Sequence, residues 1–208
     1  MIQRRMRVGV LISGSGTNLQ AIIDASEAGT LEADVVVVIS NHDSARGLVR
    51  AKEHGIDGVY IDRGKYTSIR EYNAAIRDIL RDYVVDVVVM AGYMRLLGKE
   101  VLDFWPNRVL NIHPALLPSF PGASGIKDAF DFGVKVTGVT VHFANESFDE
   151  GPILAQESVR IEEDDTVESL EAKIHEVEHR IYPAALQLMA QDRVEIVGRK
   201  VKILPPKA

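Results

Sequence analysis

Apolar, β-branched runs recur along the first half of the chain: RVGVLI at 7–12, DVVVVIS at 34–40, GVYI at 58–61, DVVVM at 86–90 and RVLNIH at 108–113. Between the first four lie stretches with helical character, at 17–28, 44–54 and 68–82. This alternation predicts βαβ units and a parallel sheet, and the near-continuous valine runs suit strands covered on both faces. From residue 135 the pattern changes. KVTGVTVHFA and ILAQESVRI are longer strand-like runs joined by the polar NESFDEGP, which predicts an antiparallel hairpin with a loop of functional length. A long helix is expected over roughly 166–190, with Asp165 or Thr166 as its cap and Glu168 or Glu171 near its positive end. The closing RVEIVGRKVKILPPKA resembles two short strands and a frayed tail. The fold class is therefore α/β, with a doubly wound, mostly parallel sheet, a Rossmann-like N-terminal half and an antiparallel hairpin in the C-terminal half. No repeat, linker or composition shift divides residues 1–208, so a single domain is expected.

Composition narrows the function classes. With 208 residues, 46% of them apolar, the chain can bury a sizeable core of its own. A formal net charge of -6 supplies no basic field to hold nucleic acid by counterion release, although a small anion in a local pocket remains compatible. The absence of cysteine excludes disulfides, iron–sulfur clusters and thiolate zinc sites. The apolar run VGVLI near the N-terminus is too short for a signal peptide core, and no run reaches membrane-spanning length. A soluble, cytoplasmic protein without membrane or nucleic-acid partners is expected, as a monomer or a homodimer.

Four segments carry candidate chemistry. In NIHPALLPSFPG, residues 111–122, Asn111 and His113 end a strand, and the period of two puts both side chains on one face. Pro114 opposes further pairing and, with Pro118 and Pro121, stiffens the loop that follows. SGSGTN, residues 13–18, sits between the first strand and the first helix, where glycines and the helix dipole can hold a phosphate; a plain tight turn is the alternative. Leu19 stands where a dinucleotide fingerprint has its third glycine, and no Walker motif occurs, so a mononucleotide phosphate is favoured. MAGYMRLLG, residues 90–98, ends the fourth strand. Met94, Leu96 and Leu97 read by composition as core, yet the backbone of such a loop can flank a flat heterocycle beyond the strand ends. NESFDEGPI, residues 145–153, offers Asp149, a solvated turn residue unless the hairpin folds back over His113.

The remaining histidines are dispersed: His42, His54, His142 within a strand, and His175 with His179 on the long helix. HEVEH at 175–179 fits H-E-x-x-H, a zinc motif with Glu176 as base. No downstream histidine offers a third ligand, leaving only an acidic residue such as Glu195.

With the loops in hand, the chain resembles the glycinamide ribonucleotide formyltransferase family over residues 7 to about 197. The resemblance is carried by VLISGSGTNLQAIIDA, VISN, DVVVMAGYMRLL, VLNIHPALLPSFPG, VTGVTVHF, DEGPILAQ and VEHRIYPAA, in that order. It implies a formyltransferase fold whose half 1–105 binds the mononucleotide and whose half 106–208 carries catalysis and a folate loop. Gly16, Thr17, Asn18 and Glu178 would contact the ribonucleotide, with Glu178 near its glycinamide end. Met94, Arg95, Leu96 and Leu97 would hold the pterin of 10-formyltetrahydrofolate, Arg70 would contact substrate, and no metal is implied. Asn111, His113 and Asp149 would be the catalytic trio: Asn111 as donor to the oxyanion, His113 as donor and proton carrier, and Asp149 as the carboxylate that favours a charged imidazole. One departure stands out, because Ser124 occupies a position where many members of the family carry histidine. Formyl transfer to methionyl-tRNA, hydrolysis of formyltetrahydrofolate and a catalytically idle nucleotide- or folate-binding module are the competing readings.

Overall fold

The computed structural model describes residues 4–206; the last two residues of the expected C-terminal tail lie outside them. The elements run β1 (Met6–Ile12), α1 (Thr17–Glu27), β2 (Ala33–Ser40), α2 (Arg46–Glu53), β3 (Asp57–Tyr60), α3 (Ile69–Asp82), β4 (Val87–Met90) and α4 (Lys99–Leu102). They continue β5 (Val109–His113), α5 (Gly125–Phe132), β6 (Val136–Phe143), β7 (Ile153–Arg160), α6 (Val167–Ala190), β8 (Val194–Val197) and β9 (Lys200–Ile203).

Seven strands form one sheet in the order β3-β2-β1-β4-β5-β6-β7. Pairing is parallel from β3 to β5 and antiparallel from β5 through β6 to β7. The small β8–β9 hairpin is a separate antiparallel pair. The valine-rich runs are alternations in disguise, because each face of the sheet has its own core. In β1, Val8, Val10 and Ile12 enter a core shared with α1, α2, α5 and α6, whereas Leu11 enters one shared with α3 and α4. Two apolar sets interleaved at period two read as a continuous run.

Capping of α6 follows the sequence. Thr166 accepts from the Ser169 backbone N–H and the Ser169 hydroxyl accepts from the Thr166 N–H, a capping box, while Asp165 pairs with Lys173. Two short helices, α4 and α5, lie where none is expected. They have four and eight residues and no side-chain cap hydrogen bond, and α5 opens on glycine, so the usual start signals are missing. Among the described residues, no helix is long and apolar enough to cross a membrane.

The strand order reverses between β1 and β4, so their following loops part to opposite sides and leave a crevice at the carboxyl ends. Helix α6 is tied beneath that crevice by Tyr182, whose buried hydroxyl donates to the carbonyls of Met90 and Leu110, each at 3.0 Å. Tyr182→Phe leaves the ring in place and strips both carbonyls of this donor. It is expected to lower stability by about 1–2 kcal/mol, seen as a lower urea midpoint with an unchanged m-value.

Candidate active site

Strand register builds the site. Asn111 lies opposite His142 and His113 opposite Thr140 in the antiparallel β5–β6 pair. Directly opposed residues project from the same face, so these four polar side chains form a block on the face away from Leu110, Ile112, Val139 and Val141. Thr140 is a brace: its hydroxyl donates to Ala115 O at 2.6 Å and accepts from Leu117 N at 3.1 Å, holding the proline loop at both points.

The hairpin between β6 and β7 does fold back over His113. A register shift at Val141/His142 marks an irregularity in the β6–β7 ladder, and the chain returns through Gly151. A Cβ on Gly151 would lie 1.6 Å from the Phe143 carbonyl oxygen, so only glycine permits that approach. Asp149, with a φ of 57°, then enters the block with its side chain only 6% exposed. Its Oδ2 accepts from Gly122 N–H at 2.8 Å and lies 3.4 Å from His113 Nδ1. Its Oδ1 lies 3.4 Å from Asn111 Nδ2 and 3.5 Å from His142 Nε2. Burial pushes the Asp149 carboxyl up, but the hydrogen bonds from His142 and Gly122 and the charge of His113 outweigh it and hold it below its ordinary value.

Ring orientations follow from carbonyl partners, which can only accept. His113 Nε2–H donates to Phe120 O at 2.8 Å, leaving Nδ1 to face the carboxylate. Phe120 holds its carbonyl there with a φ of 52°. His142 Nδ1–H donates to Phe143 O at 3.1 Å, and its Nε2 is 3.1 Å from Asn111 Nδ2. His142 Nε2 therefore lies between the Asn111 amide and Asp149 Oδ1, 3.1 and 3.5 Å from them.

His142 is the member that sequence reasoning treats as one of several dispersed histidines. Its signal was the register: aligning VLNIH against TVHF places it opposite Asn111. Ser124, at the start of α5, is exposed and makes no cap bond. The carboxylate is supported instead by Gly122 N–H and His142.

These groups open onto a cavity of about 630 Å³, lined on its other side by Tyr93, Met94, Arg95, Leu96 and Leu97. The core expectation for that loop holds for Leu97, 3% exposed, and fails for Met94 and Leu96, 66% and 38% exposed. Those two face the cavity because the loop leaves the sheet at the crevice. Arg70 is not among the lining residues; its side chain is 85% exposed and pairs with Glu100 at 3.5 Å.

The glycine loop occupies the neighbouring strand end. Gly16, with a φ of 70°, caps α1, and a Cβ there would lie 2.7 Å from Gly47 Cα, so α2 packs directly on the loop. Arg50 of α2, absent from the sequence reading, donates to Ser15 O at 2.9 Å. At the start of α1, Asn18 Nδ2 donates to the buried Glu178 at 3.0 Å, while Asn18 Oδ1 and His179 Nε2 are buried without partners. Burial pushes the Glu178 carboxyl up, and Asn18 and His175 offset this only in part. His175 and His179 stack with ring centroids 6.1 Å apart, and His175 Nε2 lies 4.0 Å from Glu178. Burial, His175 and Arg50 hold His179 below its ordinary value. Glu195 pairs instead with Lys202 on the β8–β9 hairpin, and among the described residues no group of three or more acidic or histidine side chains is arranged to hold a metal.

An open α/β sheet thus brings a glycine loop, an apolar cavity and the Asn111–His113–Asp149 cluster together at its strand ends, the place where ligands bind in sheets of this kind. Residues 6–186 match the family described as Formyl transferase, and the chain belongs to that family. It is 40% identical over 190 residues to a phosphoribosylglycinamide formyltransferase of Haemophilus influenzae, covering 91% of this chain and 90% of that protein. It is 44% identical over 199 residues to the trifunctional purine biosynthetic protein adenosine-3 of Gallus gallus, covering 96% of this chain. The chain spans about a fifth of the length of that trifunctional relative. Its fold superimposes with a TM-score of 0.95 on the crystal structure of glycinamide ribonucleotide transformylase 1 from Symbiobacterium toebii, at 50% identity, covering 97% of this chain and 95% of that one.

Two stability measurements test the electrostatics. Glu178→Gln keeps an acceptor for Asn18 and removes a carboxyl whose native value is raised. The variant is expected to be more stable than wild type near pH 7, and the gap should shrink as pH falls towards 4.5, because native wild type then takes up a proton before the unfolded chain does. Asp149 has the opposite sign. Its native value is depressed, so its contribution is complete above about pH 4 and is lost as pH falls further; the stability of Asp149→Asn relative to wild type should therefore improve below that pH in thermal melts.

Proposed function

We propose that this protein transfers the formyl group of 10-formyltetrahydrofolate to the amine of glycinamide ribonucleotide, a step of de novo purine (IMP) synthesis. One observation carries the reading: Asn111, His113 and His142 converge within 3.5 Å of the buried Asp149 at the head of an apolar cavity. The reading takes residues 1–208 as one unit, supported by the pairing of β4 with β5 across the boundary near residue 105.

The pterin occupies the cavity against Met94, Arg95, Leu96 and Leu97. The phosphate of the ribonucleotide rests on the backbone of Gly16, Thr17 and Asn18, and its glycinamide end lies near Glu178, which Asn18 Nδ2 holds. Arg70, exposed and outside the cavity, serves only a part of a ligand that extends into solvent. The amine attacks the formyl carbon, a C–N bond forms, and negative charge builds on the formyl oxygen. Asn111 donates an amide hydrogen to that oxygen. The attacking nitrogen gives up a proton to the Asp149–His113 pair, directly or through water, and the same pair returns one to the folate nitrogen as its bond to the formyl carbon breaks. Asp149 Oδ2 lies 3.4 Å from His113 Nδ1 for this exchange, and Phe120 O keeps the ring in place. No step calls on a metal, and the partners are the two small molecules in a cytoplasmic setting.

Asn111→Ala is expected to lower turnover by about 10²–10³-fold, the usual effect of deleting an oxyanion donor, with His113→Ala and Asp149→Asn at least as severe. Near-wild-type rates in all three would sink the assignment. Loss of the formyl group from 10-formyltetrahydrofolate should occur with glycinamide ribonucleotide and not with methionyl-tRNA or water alone; equal loss in water would make the protein a hydrolase.

A further inference from the structure

Two substrate loops that leave different strands are joined by side chains that take no part in the proposed chemistry. Ser13, at the head of the glycine loop, accepts at its Oγ from the backbone N–H of Met94 at 2.9 Å. Asn41, directly after β2, reaches the same hydroxyl. In the amide orientation that satisfies both of its ends, its Nδ2 donates to Ser13 Oγ at 2.7 Å and to Ile12 O at 3.2 Å, while its Oδ1 accepts from Arg95 Nε at 3.2 Å. Asn41 is itself held: the buried Ser40 hydroxyl donates to His42 O at 2.8 Å and accepts from His42 N at 3.0 Å, closing the turn around it.

Both lone pairs of Ser13 Oγ are thus occupied by groups tied to the cavity loop, one directly and one through Asn41. Ser13 cannot shift without moving Met94 and Arg95. The cavity loop carries the exposed Met94 and Leu96, whose ordering must be offset by whatever binds there. A ligand that fixes Ser13 lowers that cost for the second ligand.

Resting on the proposed function, we propose that Asn41 is a positioning residue that couples the two ligand sites. Ribonucleotide on the glycine loop preorders Met94 and Arg95 and tightens folate binding, and folate tightens ribonucleotide binding by the same factor.

The test measures binding of tetrahydrofolate, which has no formyl group to lose, by titration calorimetry with and without saturating glycinamide ribonucleotide. In wild type the ribonucleotide is expected to tighten folate binding by at least about fivefold. In Asn41→Ala and in Ser13→Ala that ratio should fall to within twofold of one, while glycinamide ribonucleotide alone still binds each variant. If Asn41→Ala does not fold, Ser13→Ala decides. A wild-type ratio of one with both ligands bound overturns the relay and leaves the functional reading intact, as does a large ratio that both variants retain. Failure of wild type to bind either ligand alone overturns the functional reading and the relay with it.

Discussion

Burial of the Asp149 carboxylate is the constraint around which the strand ends are organised. A charge withdrawn from water costs several kcal/mol unless polar groups replace its hydration, and here they come from three separate elements. Gly122 N–H from the proline loop and the Asn111 amide from β5 donate to it, and the imidazoles of His113 on β5 and His142 on β6 lie 3.4 and 3.5 Å from its oxygens. Two backbone residues hold a positive φ to make this fit, Asp149 itself at 57° and Phe120, whose carbonyl fixes His113, at 52°. Strain of this kind costs about 1–3 kcal/mol per residue and persists where surrounding contacts over-determine the conformation.

The open sheet supplies the rest of the geometry. Reversal of strand order between β1 and β4 creates the crevice, and antiparallel addition of β6 and β7 beside β5 brings a second polar strand to the same end. A purely parallel sheet would have continued with another crossover and could not have placed His142 directly opposite Asn111. The mixed sheet is therefore what turns two side chains on one strand into a cluster of four groups from three segments.

Most strands and long helices were legible in the sequence because their signals are local. The β1, β2 and β4 valine runs, the cap at Thr166 and the prolines after His113 each act within a few residues. Pairing of Asn111 with His113 on one face was legible for the same reason, since strand period alone decides it. What lay beyond reach depends on register or on backbone approach. The place of His142 needs the β5–β6 alignment, the exposure of Met94 and Leu96 needs the direction in which their loop leaves the sheet, and the role of Arg50 needs α2 to pack on Gly16. HEVEH shows the reverse case, a motif with the right spacing whose Glu178 is engaged by Asn18 at the start of α1 and whose His179 Nε2 is buried without a partner.

Gly151 carries a further consequence. The segment bearing Asp149 is hinged at its C-terminal end on a contact too close for any side chain, while its N-terminal end, at Asn145 to Phe148, is largely exposed. Any insertion or deletion that changes the reach of this segment must be absorbed on the N-terminal side. The carboxylate sits two residues from a fixed pivot and the exposed Phe148 sits three, so the outer rim of the cavity can be re-cut to fit a different ligand without displacing the charge at its head.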